Sequence, residues 1–180
     1  HCASPSYDAD WYRSGFTGDY FNWIRTIVPK YKDSPAVIWE IMNEPGQSSG
    51  GGMTQAEMKN FYHRSAELIK SLAPNQLVST GALDSYQTWQ YGQAGYADVH
   101  SSPYIDLVSV HEYEYDYNGN EGVVSRWTQN LAAAASLNKP IFIGEFGAAR
   151  FSESTSPQRR ADVAKSKYDA YLNAGAAGVL

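Results

Sequence analysis

The sequence predicts an α/β protein built on a parallel sheet, because three features alternate along it. Amphipathic stretches repeat at helical spacing, apolar runs too short for helices lie between them, and Gly, Pro, Ser or Asn marks the junctions. No internal repeat or linker interrupts the 180 residues, which therefore read as one domain, 1–180. A closed barrel and an open doubly wound sheet both fit this alternation, and periodicity does not separate them.

In chain order, the first helix is predicted at about 18–31, capped by Thr17, with Tyr20, Ile24, Ile27, Val28 and Tyr31 on one face and Ser34-Pro35 as its end. A strand follows at 36–42, then a loop rich in Gly and Ser at 46–52 that lacks the lysine of a phosphate-cradling motif. Thr54 and Glu57 form a capping box for a helix that carries Met58, Phe61, Tyr62, Ile69 and Leu72 and closes at Pro74. Next come a strand at 76–80, an irregular or partly helical stretch to His100, a strand at 106–111 and a helix at about 122–137. The run 140–146 is another strand. Ser156 and Pro157 open a helix to Asn173, and Gly175 ends it before a last strand at 178–180.

Composition narrows the function. A net charge of -5 and a pI near 5.3, with Lys and Arg scattered, leave no basic field for phosphates, so nucleic acid is excluded as a partner. The longest apolar runs fall far short of the roughly 20 residues that span a bilayer, so no membrane partner is expected. The sequence is expected to begin inside a folded region, with no signal peptide within it. Cys2 stands alone, which rules out an internal disulfide and a thiolate pair for a metal. Fourteen tyrosines and five tryptophans exceed what a core of this size needs. Their flat apolar faces and polar edges suit ligands such as sugars.

Two strand ends carry the chemistry. In Val37-Ile38-Trp39-Glu40-Ile41-Met42-Asn43-Glu44-Pro45, an apolar strand ends in an amide and a carboxylate, and Pro45 stops the ladder. In Pro140-Ile141-Phe142-Ile143-Gly144-Glu145-Phe146-Gly147, a second strand does the same with Glu145. Paired carboxyls at one sheet rim are what glycoside hydrolysis requires: one protonates the leaving oxygen and the other meets the anomeric carbon. The plainer alternative is that such glutamates cap neighbouring helices or form ion pairs.

The tripeptide Asn43-Glu44-Pro45, preceded by Trp39-Glu40-Ile41-Met42, resembles the strand-four signature of clan A glycoside hydrolases. Ile143-Gly144-Glu145-Phe146-Gly147 resembles the strand-seven nucleophile motif of that clan, and Ser109-Val110-His111-Glu112-Tyr113 resembles the strand-six His-x-Tyr of glycoside hydrolase family 5. The resemblance implies a (β/α)₈ barrel, of which this chain covers roughly strand four to the start of strand eight. It implies a retaining endo-β-glycosidase with Glu44 as acid/base and Glu145 as nucleophile. Asn43 would bond the sugar 2-hydroxyl, Tyr113 would donate to Glu145, and His111 would sit beside the acid/base and the substrate. No cofactor and no metal are implied, and the partner would be a β-linked polysaccharide or oligosaccharide. Such a substrate implies a secreted or extracellular protein.

Other residues are weighed against plainer readings. Glu40 shares strand parity with Glu44 and is expected to point inward, deeper and paired, as a structural group. His111 has the alternative of a satisfied core histidine. Trp89, Tyr91, Tyr115 and Tyr117 follow strands five and six of the implied barrel, where loops build the cleft, so sugar stacking competes with loop packing. Trp11 and Tyr12 carry the same two readings. His1, His63 and His100 show no metal-ligand spacing and are expected at the surface.

A complete barrel needs about 250 residues, so this chain is expected to be an excerpt lacking the early-strand arginine and the strand-eight aromatic of the family. The helix exit Tyr31-Lys32-Asp33-Ser34-Pro35 resembles β-mannanases more than cellulases, with cellulose, mixed-linkage glucan and xyloglucan left open. A carbohydrate-binding relative that has lost catalysis is the alternative from another class, and retention of both Glu44 and Glu145 argues against it. A barrel isomerase would place a phosphate-binding glycine loop or metal-ligating carboxylates where Gly144 and Gly147 flank a glutamate.

Overall fold

The computed structural model describes residues 8–45, 53–82, 92–148 and 156–180. Within them the order is α1 (Ala9–Arg13), a 3₁₀ turn (Gly15–Thr17), α2 (Asp19–Tyr31), β1 (Ile38–Glu40), α3 (Gln55–Leu72), β2 (Leu77–Ser79), α4 (Gly92–Val99), β3 (Val108–Glu112), α5 (Glu114–Asn118), α6 (Trp127–Ser136), β4 (Ile141–Phe146), α7 (Pro157–Asn173) and β5 (Gly178–Val179). The capping box forms as its spacing predicts: Thr54 Oγ1 accepts the Glu57 amide at 3.2 Å and Glu57 Oε2 accepts the Thr54 amide at 2.7 Å. Ser156 caps α7 by accepting the Arg159 amide at 3.2 Å, with Pro157 in the first turn.

Each strand runs parallel to the next. β1 pairs with β2 from Ile38–Leu77 to Glu40–Ser79, a bridge from Ser79 to Leu107 reaches the segment entering β3, and β3, β4 and β5 continue in order. The order 1-2-3-4-5 never reverses, whereas a doubly wound sheet reverses at its switch point. The described strands therefore form a singly wound arc with helices on its convex side. β1, β2 and α1–α3 enclose one apolar cluster around Ile24, Phe61 and Val78, while β3–β5, α6 and α7 enclose a second around Val110, Ile143 and Tyr171. Since Val108 and Val110 face that convex cluster, alternation turns Ser109 and His111 to the concave side.

Several expectations need correction. Thr17 does not cap α2: it lies in the 3₁₀ turn, where its hydroxyl donates to Ser14 at 2.8 Å, and Gly18 occupies the cap position. The helix expected from about 122 starts only at Trp127, because the Glu114 carboxylate takes the Ser125 amide, the Ser125 hydroxyl and the Asn120 side chain. Those local bonds satisfy groups that would otherwise start a helix. His100 is buried rather than superficial. Burial lowers its pKa to about 4, so the ring is neutral. Its Nδ1 donates to the Tyr96 carbonyl at 2.7 Å, and Nε2 meets the Thr80 hydroxyl at 2.8 Å and the Ser109 amide at 3.3 Å, tying β2 to β3. His63 is half-buried against Tyr104, with Nδ1 3.0 Å from Ser102 Oγ. The short helices α1 and α5 are additions that amphipathic periodicity does not reveal.

Candidate active site

The carboxyl ends of β1, β3 and β4 deliver the site. After β1, Ile41 and Met42 keep donating to Ser79 and Thr80 of the neighbouring strand, so the backbone stays in the sheet until Asn43. Glu44 then takes a positive φ of 43°, a conformation that costs a non-glycine residue about 1–3 kcal/mol. Its amide donates to the Gly81 carbonyl at 2.9 Å, which holds the turn. Gly81 itself has φ +74°, and a Cβ there would lie 2.2 Å from the Met42 carbonyl oxygen, so no other residue fits this crossing without movement.

Glu145 reaches the concave face by a different device. Strict alternation would send it to the convex side with Ile141 and Ile143. The register of β3 against β4 slips between Val110 and His111, so Val110 faces Ile143 while His111 faces Glu145. Gly144 is the extra residue of a β-bulge, and such bulges re-aim side chains. A Cβ on Gly144 would lie 2.9 Å from His111 Nε2, so glycine is also what lets the imidazole lie against this strand.

His111, 1% exposed, joins three carboxylates. Its Nε2 is 3.2 Å from Glu40, and its Nδ1 is 3.4 Å from Glu44 and 3.6 Å from Glu145. Burial alone would depress its pKa. Hydrogen bonds to Glu40 and Glu44 and the charges of Glu40 and Glu145 outweigh burial and raise it to about 9. At neutral pH the ring is thus an imidazolium with both N–H groups donating. Because Glu44 and Glu145 approach the same nitrogen, their oxygens lie no more than about 7 Å apart, which excludes most of the range used for inversion. Tyr113 donates its hydroxyl hydrogen to Glu145 Oε2 at 2.6 Å; burial and this bond hold its pKa well above the ordinary phenol range.

The expected residues Glu44, His111, Tyr113 and Glu145 therefore gather at one rim, and Asn43, half-buried, immediately precedes Glu44 at the exit of β1. Glu40 is paired, as its parity suggests, but its side chain is 32% exposed and its carboxylate belongs to the site's edge rather than to a sealed layer beneath it. Tyr115 is corrected: it lies in α5, just after β3, is 2% exposed and offers no face to a sugar. Trp11 and Tyr12 pack with Phe61 and Phe16 in the first apolar cluster. Trp89 and Tyr91 lie outside the described residues, as do His1, Cys2, the loop 46–52 and the side chain of Tyr117.

Glu40, His111 and Glu145 also present ligand atoms within 4.8 Å of one another, a spacing compatible with a metal ion. Both imidazole nitrogens already face carboxylates, and a ring with a pKa near 9 would have to release a proton before it could ligate. The donor set fits a protonated histidine better than a metal. Among the described residues no helix is long and apolar enough to cross a membrane.

Comparison with known proteins follows the same lines. A family model described as Cellulase (glycosyl hydrolase family 5) matches residues 5–177. Mannan endo-1,4-beta-mannosidase F of Aspergillus clavatus is 30% identical over 140 residues, covering 71% of this chain and 31% of that protein. Mannan endo-1,4-beta-mannosidase 7 of Oryza sativa subsp. japonica is 30% identical over 182 residues, covering 87% of this chain and 47% of that protein. The chain thus spans less than half the length of these curated relatives. The endo-beta-1,4-mannanase of Thermotoga petrophila superposes with a TM-score of 0.70 at 18% identity, covering 95% of this chain and 42% of that one. The catalytic domain of a Thermobifida fusca endoglucanase gives 0.57 at 19% identity, covering 97% and 51%. These likenesses identify the arc as part of a (β/α)₈ barrel, from its fourth strand to the start of its eighth.

Proposed function

Because this chain belongs to glycosyl hydrolase family 5, we propose that the protein containing it is a retaining endo-β-1,4-glycosidase that hydrolyses β-mannan. The observation that carries this reading is the convergence of Glu44 and Glu145 on one imidazole nitrogen, at 3.4 and 3.6 Å, with a tyrosine hydroxyl on Glu145. Glu145 attacks the anomeric carbon while Glu44 protonates the departing glycosidic oxygen, leaving a glycosyl-enzyme. Glu44, now ionised, takes a proton from water as that water releases the sugar. Asn43 bonds the sugar 2-hydroxyl, a contact that strengthens at the transition state. Tyr113 occupies one lone pair of Glu145 and fixes the direction of the other oxygen. The His111 imidazolium places a positive charge between the two carboxylates, and Glu40 holds the far side of that ring.

Mannan is favoured by the names of the curated relatives and by the helix exit at 31–35. A β-glucan is the second reading, since an endoglucanase catalytic domain shares the fold. In the complete protein the early barrel strands close the concave face, where Ile38 and Leu77 are each 43% exposed. The protein acts outside the cell, where such polysaccharides are met. The test is the full-length protein assayed on β-mannan and on carboxymethyl cellulose. A clear preference in kcat/KM for mannan is expected. The reverse preference would replace mannan by glucan, and hydrolysis of neither, nor of mixed-linkage glucan or xyloglucan, would remove the enzymatic reading.

A further inference from the structure

Beneath the site, on the convex side of the same strands, Glu112 and Lys167 form an ion pair at 2.6 Å with side chains 1% and 0% exposed. Lys167 lies in the buried stripe of α7 between Val163 and Tyr171, and Glu112 follows Val108 and Val110 on the helix-facing side of β3. Burying two charges costs desolvation that their attraction need not recover, and apolar replacements of such pairs are often as stable or more so. Stability is therefore a weak reason for this pair, and its bonds suggest another.

Glu112 Oε1 takes the Lys167 ammonium, while Oε2 accepts the Glu114 amide at 3.0 Å. The backbone carbonyl of Glu112 accepts the Gly147 amide at 3.0 Å. Glu112, on one side of Tyr113, is thus anchored both to α7 through its carboxylate and to the segment just after Glu145 through its carbonyl, and the same carboxylate holds Glu114 on the other side. Tyr113 turns between them at φ −134° and ψ 26°, a conformation outside helix and strand. Its ring lies directly on Gly147, where a Cβ would come 2.6 Å from Cδ1. Tyr171 adds a further brace, its hydroxyl beside Glu112 and accepting the Val124 amide at 2.9 Å.

We propose that the buried Glu112–Lys167 pair is a positioning device for Tyr113, setting the direction in which its hydroxyl meets Glu145. The pair touches neither substrate nor reacting atoms. It rests on the reading of Glu145 as nucleophile only for its kinetic consequence; the geometric consequence stands apart from it.

The experiment uses the full-length protein in two forms that leave no lone buried charge. Glu112→Met with Lys167→Met removes both charges and the acceptor for the Glu114 amide. Glu112→Gln with Lys167→Met removes both charges but keeps an oxygen for that amide. Tyr113 is followed by its Cζ resonance in pH titrations, assigned with Tyr113→Phe, and kcat and KM are measured on the preferred glycan. In wild type and in the Gln form, Tyr113 stays protonated well above pH 10. In the Met form it titrates at lower pH than in wild type, with burial still holding it above the ordinary phenol value, kcat falls on the order of tenfold, as loss of one hydrogen bond at the nucleophile gives, and KM changes little. Placed on Tyr113→Phe, the Met form causes no further loss in kcat, because the two changes act through one bond. If Tyr113 titrates alike in all forms, or the kcat losses multiply on the Phe background, the pair is only structural and the proposal is overturned. If the wild type hydrolyses no glycan while the Tyr113 titration still responds, the positioning stands and the enzymatic reading fails.

Discussion

Gly144 forms the floor beneath His111: a Cβ at this position would lie 2.9 Å from Nε2, 3.0 Å from Cδ2 and 3.3 Å from the Glu40 carboxylate. Gly144→Ala must therefore lift the imidazole away from β4 or flatten the bulge that aims Glu145. Displacements of about 1 Å at a reacting centre cost on the order of a hundredfold in rate. A fall in kcat of that order is expected, with a much smaller change in melting temperature. An alanine variant with wild-type kcat would show that the ring has room and that the bulge does not depend on glycine.

Gly81 carries a different expectation, because its constraint is in the backbone. With φ +74° and a virtual Cβ 2.2 Å from the Met42 carbonyl oxygen, Gly81→Ala is both strained and overpacked. A loss of at least about 1–3 kcal/mol is expected in denaturant unfolding. Since the Gly81 carbonyl accepts the Glu44 amide, activity should fall together with stability. Unchanged stability would mean that the strand end moves freely here.

Much of this was legible in the sequence, and the failures have physical causes. The capping box at Thr54, the Ser156-Pro157 helix start and the strand-end carboxylates were readable because each rests on local chemistry at fixed spacing. Glu145 was found through its motif, yet simple alternation sends it to the wrong face; the bulge at Gly144 exists only when β3 is laid against β4. Lys167 did leave a signal, a charge at helical spacing between the buried Val163 and Tyr171, and so did Glu112 in an apolar strand. Each pattern alone reads as a tolerated exception. Only the pairing, which brings residues 55 positions apart within 2.6 Å, gives them a purpose. For His100 a polar ring suggests exposure, whereas the fold supplies buried partners; for Tyr115, where sugar stacking and packing both fit the sequence, only its burial within α5 decides for packing.

His111 and His100 make stability respond to pH in opposite directions. The folded pKa of His111, about 9, exceeds the ordinary 6.5, so its contribution is complete below pH 6.5 and disappears as pH rises through 9. That contribution is about 1–3 kcal/mol, discounted because the Glu40 partner is partly exposed. His100 is depressed to about 4, so its contribution is present above pH 6.5 and disappears as pH falls through 4. Urea midpoints measured from pH 4 to 10 should decline toward both ends. His111→Gln should flatten the alkaline decline and leave the acid one. A His111→Gln curve parallel to wild type above pH 6.5 would show that the imidazole does not hold its proton in the fold.

The roles of Glu44 and Glu145 separate by how each fails when trimmed to alanine in the full-length protein. Retention passes through a glycosyl-enzyme on the α face, which water then attacks from the β face with help from the acid/base. In Glu44→Ala, a substrate with a good leaving group still glycosylates Glu145. Added azide needs no general base, so it should restore turnover and yield the β-glycosyl azide. In Glu145→Ala no covalent intermediate forms, so azide should enter through the vacated α face and give the α-glycosyl azide. Product configuration decides between the roles, because loss of activity is common to both variants and misfolding would imitate it. The geometry adds a control: Tyr113 bonds Glu145 and not Glu44, so Tyr113→Phe should slow formation of the glycosyl-enzyme while leaving azide rescue of Glu44→Ala in the β configuration. Azides of the reverse configurations from the two alanine variants would require the assignments of Glu44 and Glu145 to be exchanged.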